Sequence, residues 1–419
     1  MTYEQARQYI EEASQSGIIL GLESIKNLLN ELGNPQDDLQ FIHIAGTNGK
    51  GSTLAFTSTI LEVAGYKVGR NVSPTVQSYR ERIQVNRTNI SKADFANGML
   101  KIKKAVDSLQ AKGLPQPSVF EIETALGFLH FKAQGCDIVV METGMGGVTD
   151  ATNVIKNTLV AIITSVSRDH MEFLGDTIAD LTRAKVGIIK PGCTVVHGNL
   201  PNDALEIIEH FDNKRQIIDK NDAFIQKSQK KYTQSFNYQN MKDIKIKLLG
   251  RHQVENATLA IETIRALRHH NFLITDDQIK LGLAATEWFG RITVLKDKDP
   301  VIIVDGAHNQ ESAAALATTL RELFPVERIV GIMGAFKDKE IHEMLAEVKG
   351  VISEIHTITL PDSKRSLTAQ ELAEYVETAG IKAFVQNNLA TAIDKASRDF
   401  DIVVVFGSLS HLGDVQNII

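Results

Sequence analysis

A chain of 419 residues exceeds the roughly 250–300 at which a single hydrophobic core stops growing, so two domains are expected. Its 43% hydrophobic and 23% charged residues exclude a disordered chain, and a net charge of −6 excludes bulk nucleic-acid binding, which needs an excess of Lys and Arg. Cys136 and Cys193 are too few for a disulfide framework or a Cys-rich zinc site, and both are read as small core residues in a reducing compartment.

The opening MTYEQARQYIEEASQSG is polar and lacks the apolar core of a secretory leader, and no apolar run reaches the ~20 residues of a membrane span. A cytoplasmic protein without a membrane partner is expected. Residues 41–45 (FIHIA) form a short apolar strand that runs straight into GTNGKGS. The helix after it carries Phe56, Ile60 and Val63 on one face and stops at Gly65. Residues 66–72 form the next strand, which ends at Ser73-Pro74. A helix near 121–133 precedes a strand over 137–141 that delivers Glu142 and the turn TGMGG, and a strand over 159–166 gives way to SRDH. Strands separated by helices indicate parallel βαβ units.

Residues 226–247 are Lys/Gln-rich and read as an exposed segment closing on a short alternating strand, DIKIKLL; residues 251–269 form a helix. The charged KDKDP near 295–300 reads as a linker before a second αβ series: VIIVDGAHN, RIVGIMG, SEIHTITL and DIVVVFGS. The boundary is placed at about residue 297, giving domains over 1–296 and 297–419.

Ligands of open α/β sheets bind beyond the carboxyl ends of the strands. Four predicted strands end at the loop 46–52, Ser73, Glu142 and His170, which brings a phosphate loop, a hydroxyl, a carboxylate and an imidazole to one sheet edge. In the loop Gly46-Thr47-Asn48-Gly49-Lys50-Gly51-Ser52 the glycines let backbone N–H groups point inward, the following helix offers its positive end, and Lys50 adds a charge. It departs from G-x-x-x-x-G-K-[ST], because the first glycine comes two residues late and Gly51 separates Lys50 from Ser52. A ligand-free glycine turn is the alternative; the flanking strand and helix favour a nucleotide. Ser73, Glu142 and His170 with a triphosphate make an oxygen-rich Mg²⁺ site with one imidazole. Taken singly, Glu142 also reads as a cap and His170 as a structural histidine.

Lys185 falls on the apolar stripe of Ile178, Leu181 and Ile188. A snorkelling side chain is the ordinary account; its place one helix beyond His170 supports a functional one. Asp305 and His308 sit at a strand end facing a helix start, Arg291 in WFGRI stands where it could span the domain cleft, and Asn256 lies on the helix after GRHQ. Each also reads as a turn, a cap, an interdomain ion pair or an exposed polar position.

With these residues in view, the chain resembles the folylpolyglutamate synthase and dihydrofolate synthase family of the Mur ligase superfamily. The matching stretches are HIAGTNGKGST, VSPTVQSYRERI, FEIETA, METGMGGVTDATNVI, SVSRDHMEFLGDTIADLTRAKVGIIKPG, LLGRHQVENA, WFGRITVL, VDGAHN, GAFKDK and FGSLS, in order from about 41 to 410. The resemblance implies a P-loop ATPase-like parallel-sheet domain followed by a smaller Rossmann-like α/β domain, with ATP in the cleft. It implies ATP contacts from residues 46–52, Asn256, Arg291, Asp305 and His308, and Mg²⁺ on Ser73, Glu142 and His170. Folate contacts fall on Ser118, Val119, Phe120 and Glu121 and on Thr149, Asp150 and Ala151. Lys50, His170 and Lys185 carry catalytic roles, with Lys185 as an N6-carboxylysine.

The implied reaction joins L-glutamate to a folate or dihydropteroate carboxylate through an acyl phosphate, in a monomer that takes only small-molecule substrates. The chain departs from the family pattern at Ser78-Tyr79-Arg80, where Phe-Asn is usual before Glu-Arg-Ile, at Val148, and at Ser410. Two alternatives stand beside this reading: a UDP-muramyl amino-acid ligase, and a nucleotide switch that binds ATP without ligation.

Overall fold

The structure, a computed structural model, describes residues 1–14, 21–169, 171–211, 215–217, 223–226, 232–361 and 364–419. Eight strands build the larger sheet: β1 (Phe41–Ala45), β2 (Val68–Asn71), β3 (Ile83–Val85), β4 (Thr88–Asn89), β5 (Ile138–Glu142), β6 (Thr158–Ile163), β7 (Thr194–His197) and β8 (Arg215–Ile217). Their order is β4-β3-β2-β5-β1-β6-β7-β8. Neighbours run parallel from β2 across to β8, and β3 and β4 extend one edge as an antiparallel ribbon.

The central strands are apolar at almost every position because helices cover both faces. Ile42, Ile44, Ile138, Val140, Val160 and Ile162 face a core shared with the helices Lys50–Val63, Arg251–Arg268 and Asp276–Ala285. Phe41, Val139 and Met141 face the opposite core, against Tyr3–Ala13, Glu23–Glu31, Lys92–Ala111 and Val119–Gln134. The helix Lys50–Val63 is buried from Gly51 to Leu61, not along the single stripe that its sequence suggests. Gly282 of Asp276–Ala285 packs against Ile60 so closely that a side-chain carbon there would collide with the Ile60 backbone.

The exposed segment expected over 226–247 is corrected where it is described. Strands β9 (Ala223–Gln226), β10 (Gln234–Tyr238) and β11 (Met241–Ile246) form an antiparallel sheet whose Phe236, Tyr238, Ile244 and Ile246 are buried in the first of those cores. A strand with one solvated face carries only two or three apolar residues, and here they are interspersed with Lys, Asn and Gln.

The third sheet has β12 (Thr293–Asp297), β13 (Val301–Val304), β14 (Ile329–Met333), β15 (Glu354–Thr357), β16 (Lys382–Val385) and β17 (Ile402–Phe406) in the order β12-β13-β17-β14-β15-β16. All pairs are parallel except β12 with β13. KDKDP is therefore a hairpin connection inside this sheet rather than a linker. Residues 293–296, which the sequence reading assigns to the first domain, pair with β13 instead.

Candidate active site

The carboxyl ends of β1, β2, β5 and β6 meet the carboxyl end of β13 across a cleft. One cavity of about 300 Å³ is lined by all of residues 46–52 together with Ser73, Glu142, Lys185, Asn256, Arg291, Asp305 and His308. The loop after β1 is braced by the end of β6: Asn48 N donates to Ser165 Oγ at 2.8 Å, Thr164 Oγ1 donates to Asn48 O at 2.7 Å, and Thr47 N donates to Ser165 O at 3.0 Å. Gly49 has φ +85°, and a side chain there would collide with Asn256 Oδ1. Lys50 Nζ donates to Gly46 O at 2.9 Å and Thr47 O at 3.1 Å, folded back over its own loop at the start of Lys50–Val63. Unpaired N–H groups and the helix dipole make such a terminus attractive to phosphate.

Glu142 is 5% exposed, and Ser73 N donates to its Oε2 at 3.3 Å. Burial raises its pKa, opposed first by the charge of Lys50 and then by the Ser73 hydrogen bond and by Arg291 and Arg82. One buried carboxylate beside a serine is a donor set suited to Mg²⁺, which takes one or two carboxylates and fills its shell with phosphate oxygens and water. Among the described residues no group of three or more His, Cys, Asp or Glu could hold a metal by itself. His170, the third ligand of the sequence reading, lies outside the described residues.

Lys185, in the helix Ile178–Val186, is 2% exposed, so its side chain does not snorkel. Burial, and then the charge of Lys50, lower its pKa to about 8, with Asp169 pulling the other way. Across the cleft, Asp305 Oδ2 accepts from Ile292 N and Oδ1 from Ala307 N, each at 2.8 Å. Burial raises the Asp305 pKa to about 6 although Arg291 opposes it. His308 donates from Nδ1 to Gly306 O at 2.7 Å, and burial lowers its pKa to about 4, which leaves a neutral ring with an unprotonated Nε2.

The expected folate stretches are placed differently. Neither of the two cavities described here is lined by Ser118, Val119, Phe120, Glu121, Thr149, Asp150 or Ala151. Ser118 caps the helix Val119–Gln134, with its N and Oγ donating to Glu121 Oε2 at 2.7 and 2.8 Å; Glu121 Oε1 is buried with no partner among the described residues. Asp150 accepts from Met145 N at 2.8 Å, Thr152 N at 2.9 Å and Thr152 Oγ1 at 2.6 Å. Thr152 in turn meets His43 Nε2 at 2.8 Å, beneath the turn. The stretches adjoin the cavity through Phe120, whose ring covers Gly144 on its wall.

Several residues at the cleft were not singled out by the sequence reading, although Trp288, Ser167, Asp169 and Lys339 lie in stretches that match the family. Trp288, the chain's single tryptophan, presses its indole on Gly51. Glu311 Oε2 accepts from Asn48 Nδ2 at 2.6 Å and Ser167 Oγ at 2.7 Å, and Lys339 Nζ pairs with Asp169 Oδ1 at 3.2 Å; all three contacts cross the cleft. A second cavity of about 820 Å³ continues from the first past Ser73, Glu142 and Arg291 toward β3 and β4. Partners more than a hundred residues apart leave no periodicity for a sequence reading to find.

Residues 44–264 match the family model described as the Mur ligase middle domain, and residues 290–409 that described as Mur ligase, glutamate ligase domain. The chain is 33% identical over 426 residues to the dihydrofolate synthase/folylpolyglutamate synthase of Bacillus subtilis, covering 99% of this chain and 98% of the relative. It is 32% identical to the folylpolyglutamate synthase of Lacticaseibacillus casei, with 88% and 87% covered. The structure superimposes on that of Mycobacterium tuberculosis folylpolyglutamate synthase complexed with ADP and AMPPCP at a TM-score of 0.88, with 29% identity and 99% and 98% of the two chains covered.

Proposed function

The chain belongs to the Mur ligase family, in the branch of the folylpolyglutamate synthases and dihydrofolate synthases, and from that premise we propose that it joins L-glutamate to the carboxylate of a folate at the expense of ATP. The observation that carries this reading is the single cavity in which the glycine loop after β1, Ser73 and Glu142 of the larger sheet face Arg291, Asp305 and His308 across the cleft.

The substrate carboxylate attacks the γ-phosphorus, the bond to the β-phosphate oxygen breaks, and ADP leaves with that electron pair. The amine of glutamate then attacks the acyl carbon, phosphate departs, and the amine loses its proton. Two anions must approach in the first step, so repulsion is the barrier to be lowered. The loop N–H groups and the positive end of Lys50–Val63 hold the phosphates, and Lys50 moves from the Gly46 and Thr47 carbonyls onto them. Asn256, Arg291, Asp305 and His308 complete the nucleotide site. Ser73 and Glu142, with His170, hold Mg²⁺, which when bound withdraws charge from the phosphate oxygens.

Lys185 is carboxylated: its neutral amine adds to CO₂ and the product loses a proton, so the buried charge changes from positive to negative beside the metal site. At pH 7 a pKa of about 8 leaves about a tenth of the amines neutral, against about one in 2,500 for an unperturbed lysine. The pterin lies against Phe120 and Glu121 and the turn of Thr149, Asp150 and Ala151, with Glu121 Oε1 as the available acceptor and Ser118 and Val119 fixing the helix start. The same reading makes the protein a cytoplasmic monomer of two domains. Among the described residues no helix is long and apolar enough to cross a membrane.

Phosphate release is the test, with tetrahydrofolate, dihydropteroate or a UDP-muramyl peptide as acceptor and glutamate as amine. Release with a pterin acceptor is expected, and the two pterin arms separate the two folate activities. Release only with the muramyl acceptor, or ATP binding without release in any arm, would sink the proposal.

A further inference from the structure

Beyond the site residues, one buried charge cluster is left without a part in the chemistry. Glu123, in the helix Val119–Gln134, is almost fully buried, and its carboxylate joins two residues of the short turn Tyr79–Arg82. Oε1 accepts from Tyr79 Oη, and Oε2 pairs with Arg82 Nε at 3.1 Å. The Arg7 guanidinium stacks on the Tyr79 ring 3.3 Å from its centroid. The same turn organises the chain back to Val76, because Glu81 accepts from the N–H groups of Val76, Gln77 and Ser78.

The strand register brings Arg82 beside the metal cradle. Asn71 pairs with Ile83 on one side and with Met141 on the other, and one residue further along Val72 N donates to Arg82 O at 3.0 Å. Arg82 and Glu142 thus flank Val72 at the ends of adjoining strands. Arg82 has donors to spare: its Nη1 is buried with no acceptor among the described residues, and its Nε meets Glu123 as an ion pair without the geometry of a hydrogen bond. Its charge reaches Glu142, where it works against the upward push of burial.

A guanidinium and a divalent cation compete for one carboxylate, and the guanidinium needs no nucleotide to complete its shell. We propose that Glu123 is a positioning residue for the metal site: it holds Arg82 away from Glu142, so that the Glu142 carboxylate stays open to Mg²⁺. The proposal rests on the reading of Ser73 and Glu142 as that site. Removing the Glu123 charge leaves a largely buried cation without its carboxylate, free to turn toward Glu142 on the other side of Val72.

The readout is the factor by which Mg²⁺ tightens AMPPCP binding, measured by calorimetry with and without the metal, with a thermal melt to confirm folding. Glu123→Gln lowers this factor at least tenfold and leaves metal-free AMPPCP affinity within about twofold of the parent. Adding Arg82→Gln restores the factor to within about threefold, since the competing cation is gone. A merely structural role for Glu123 predicts a lower melting temperature in both variants and no such rescue. An unchanged factor in Glu123→Gln, or no rescue in the double variant, overturns the proposal. Arg82→Gln alone must keep the factor at or above the parent value; a tenfold loss there overturns it even if Glu123→Gln fails to fold. An unchanged factor in Glu142→Gln would instead overturn the metal reading on which this one stands.

Discussion

Lys185 shows what one residue can and cannot reveal from the sequence. Its place on the stripe of Ile178, Leu181 and Ile188 was open to two accounts, a snorkelling cation or a working amine, and 2% exposure removes the first. The sign of its contribution to stability follows from the direction of the shift. A pKa lowered from 10.5 to about 8 means that the unfolded chain binds more protons between those values, so the buried ammonium destabilises the fold at neutral pH. The penalty is present in full below about pH 8 and fades as pH rises toward 10.5. Lys185→Met, similar in length and apolar, is therefore expected to raise stability by about 3 kcal/mol at pH 7 in CO₂-free buffer. Denaturant unfolding across pH 7 to 10 checks this, and the gain must shrink over the upper part of that range. The same variant is inactive, and ¹³CO₂-equilibrated parent enzyme gives a carbamate carbon signal that Lys185→Met lacks. A parent without the signal would remove the carboxylation.

At the scale of elements, the strand–loop–helix around residues 41–63 was legible because an apolar run, a cluster of glycines and a helical stripe follow one another with nothing between. The reason for each glycine was not legible. Gly49 stands in the left-handed region with Asn256 against it, a residue 207 positions further along that touches the loop only through the fold. Gly49→Ala is expected to cost about 1–3 kcal/mol of stability from backbone strain and collision. Its larger effect falls on nucleotide: a loop displaced from its phosphate geometry should lose more than tenfold in ATP affinity. Calorimetry together with a melt separates the two, and an Ala variant that binds ATP normally would mean that the loop tolerates a shift. The antiparallel strands β9 to β11 illustrate the opposite case, since their buried face is too short to stand out from its Lys and Gln neighbours.

For the whole molecule, the polar contacts that join the two sides of the cleft include Asn48 and Ser167 to Glu311 and the Lys339–Asp169 ion pair. That pair is 11% and 13% exposed, enough to be worth about 1 kcal/mol after solvent screening. Lys339 does not itself line the first cavity, although its partner Asp169 does, so Lys339→Ala weakens closure without removing a lining side chain. The expected result is a larger radius of gyration for the free enzyme in solution scattering. Apparent ATP affinity should fall by about fivefold, the equivalent of about 1 kcal/mol of lost closure. Identical scattering and affinity in the variant would show that the cleft closes on other contacts.

The sequence by itself determined the alternation of strand and helix, the phosphate loop, the carboxylate at the end of β5 and the family, because each is written in consecutive residues or in short fixed spacings. It also named Asn256, Arg291 and Asp305, through the stretches that match the family. Only the tertiary structure decided that those residues share one cavity with Lys50 and Lys185, that β12 belongs to the second α/β sheet, and that Glu123 pairs with Arg82. Burial and long-range pairing set those outcomes. Both depend on which surfaces meet after the chain has folded, and neighbouring residues along the chain carry no record of it.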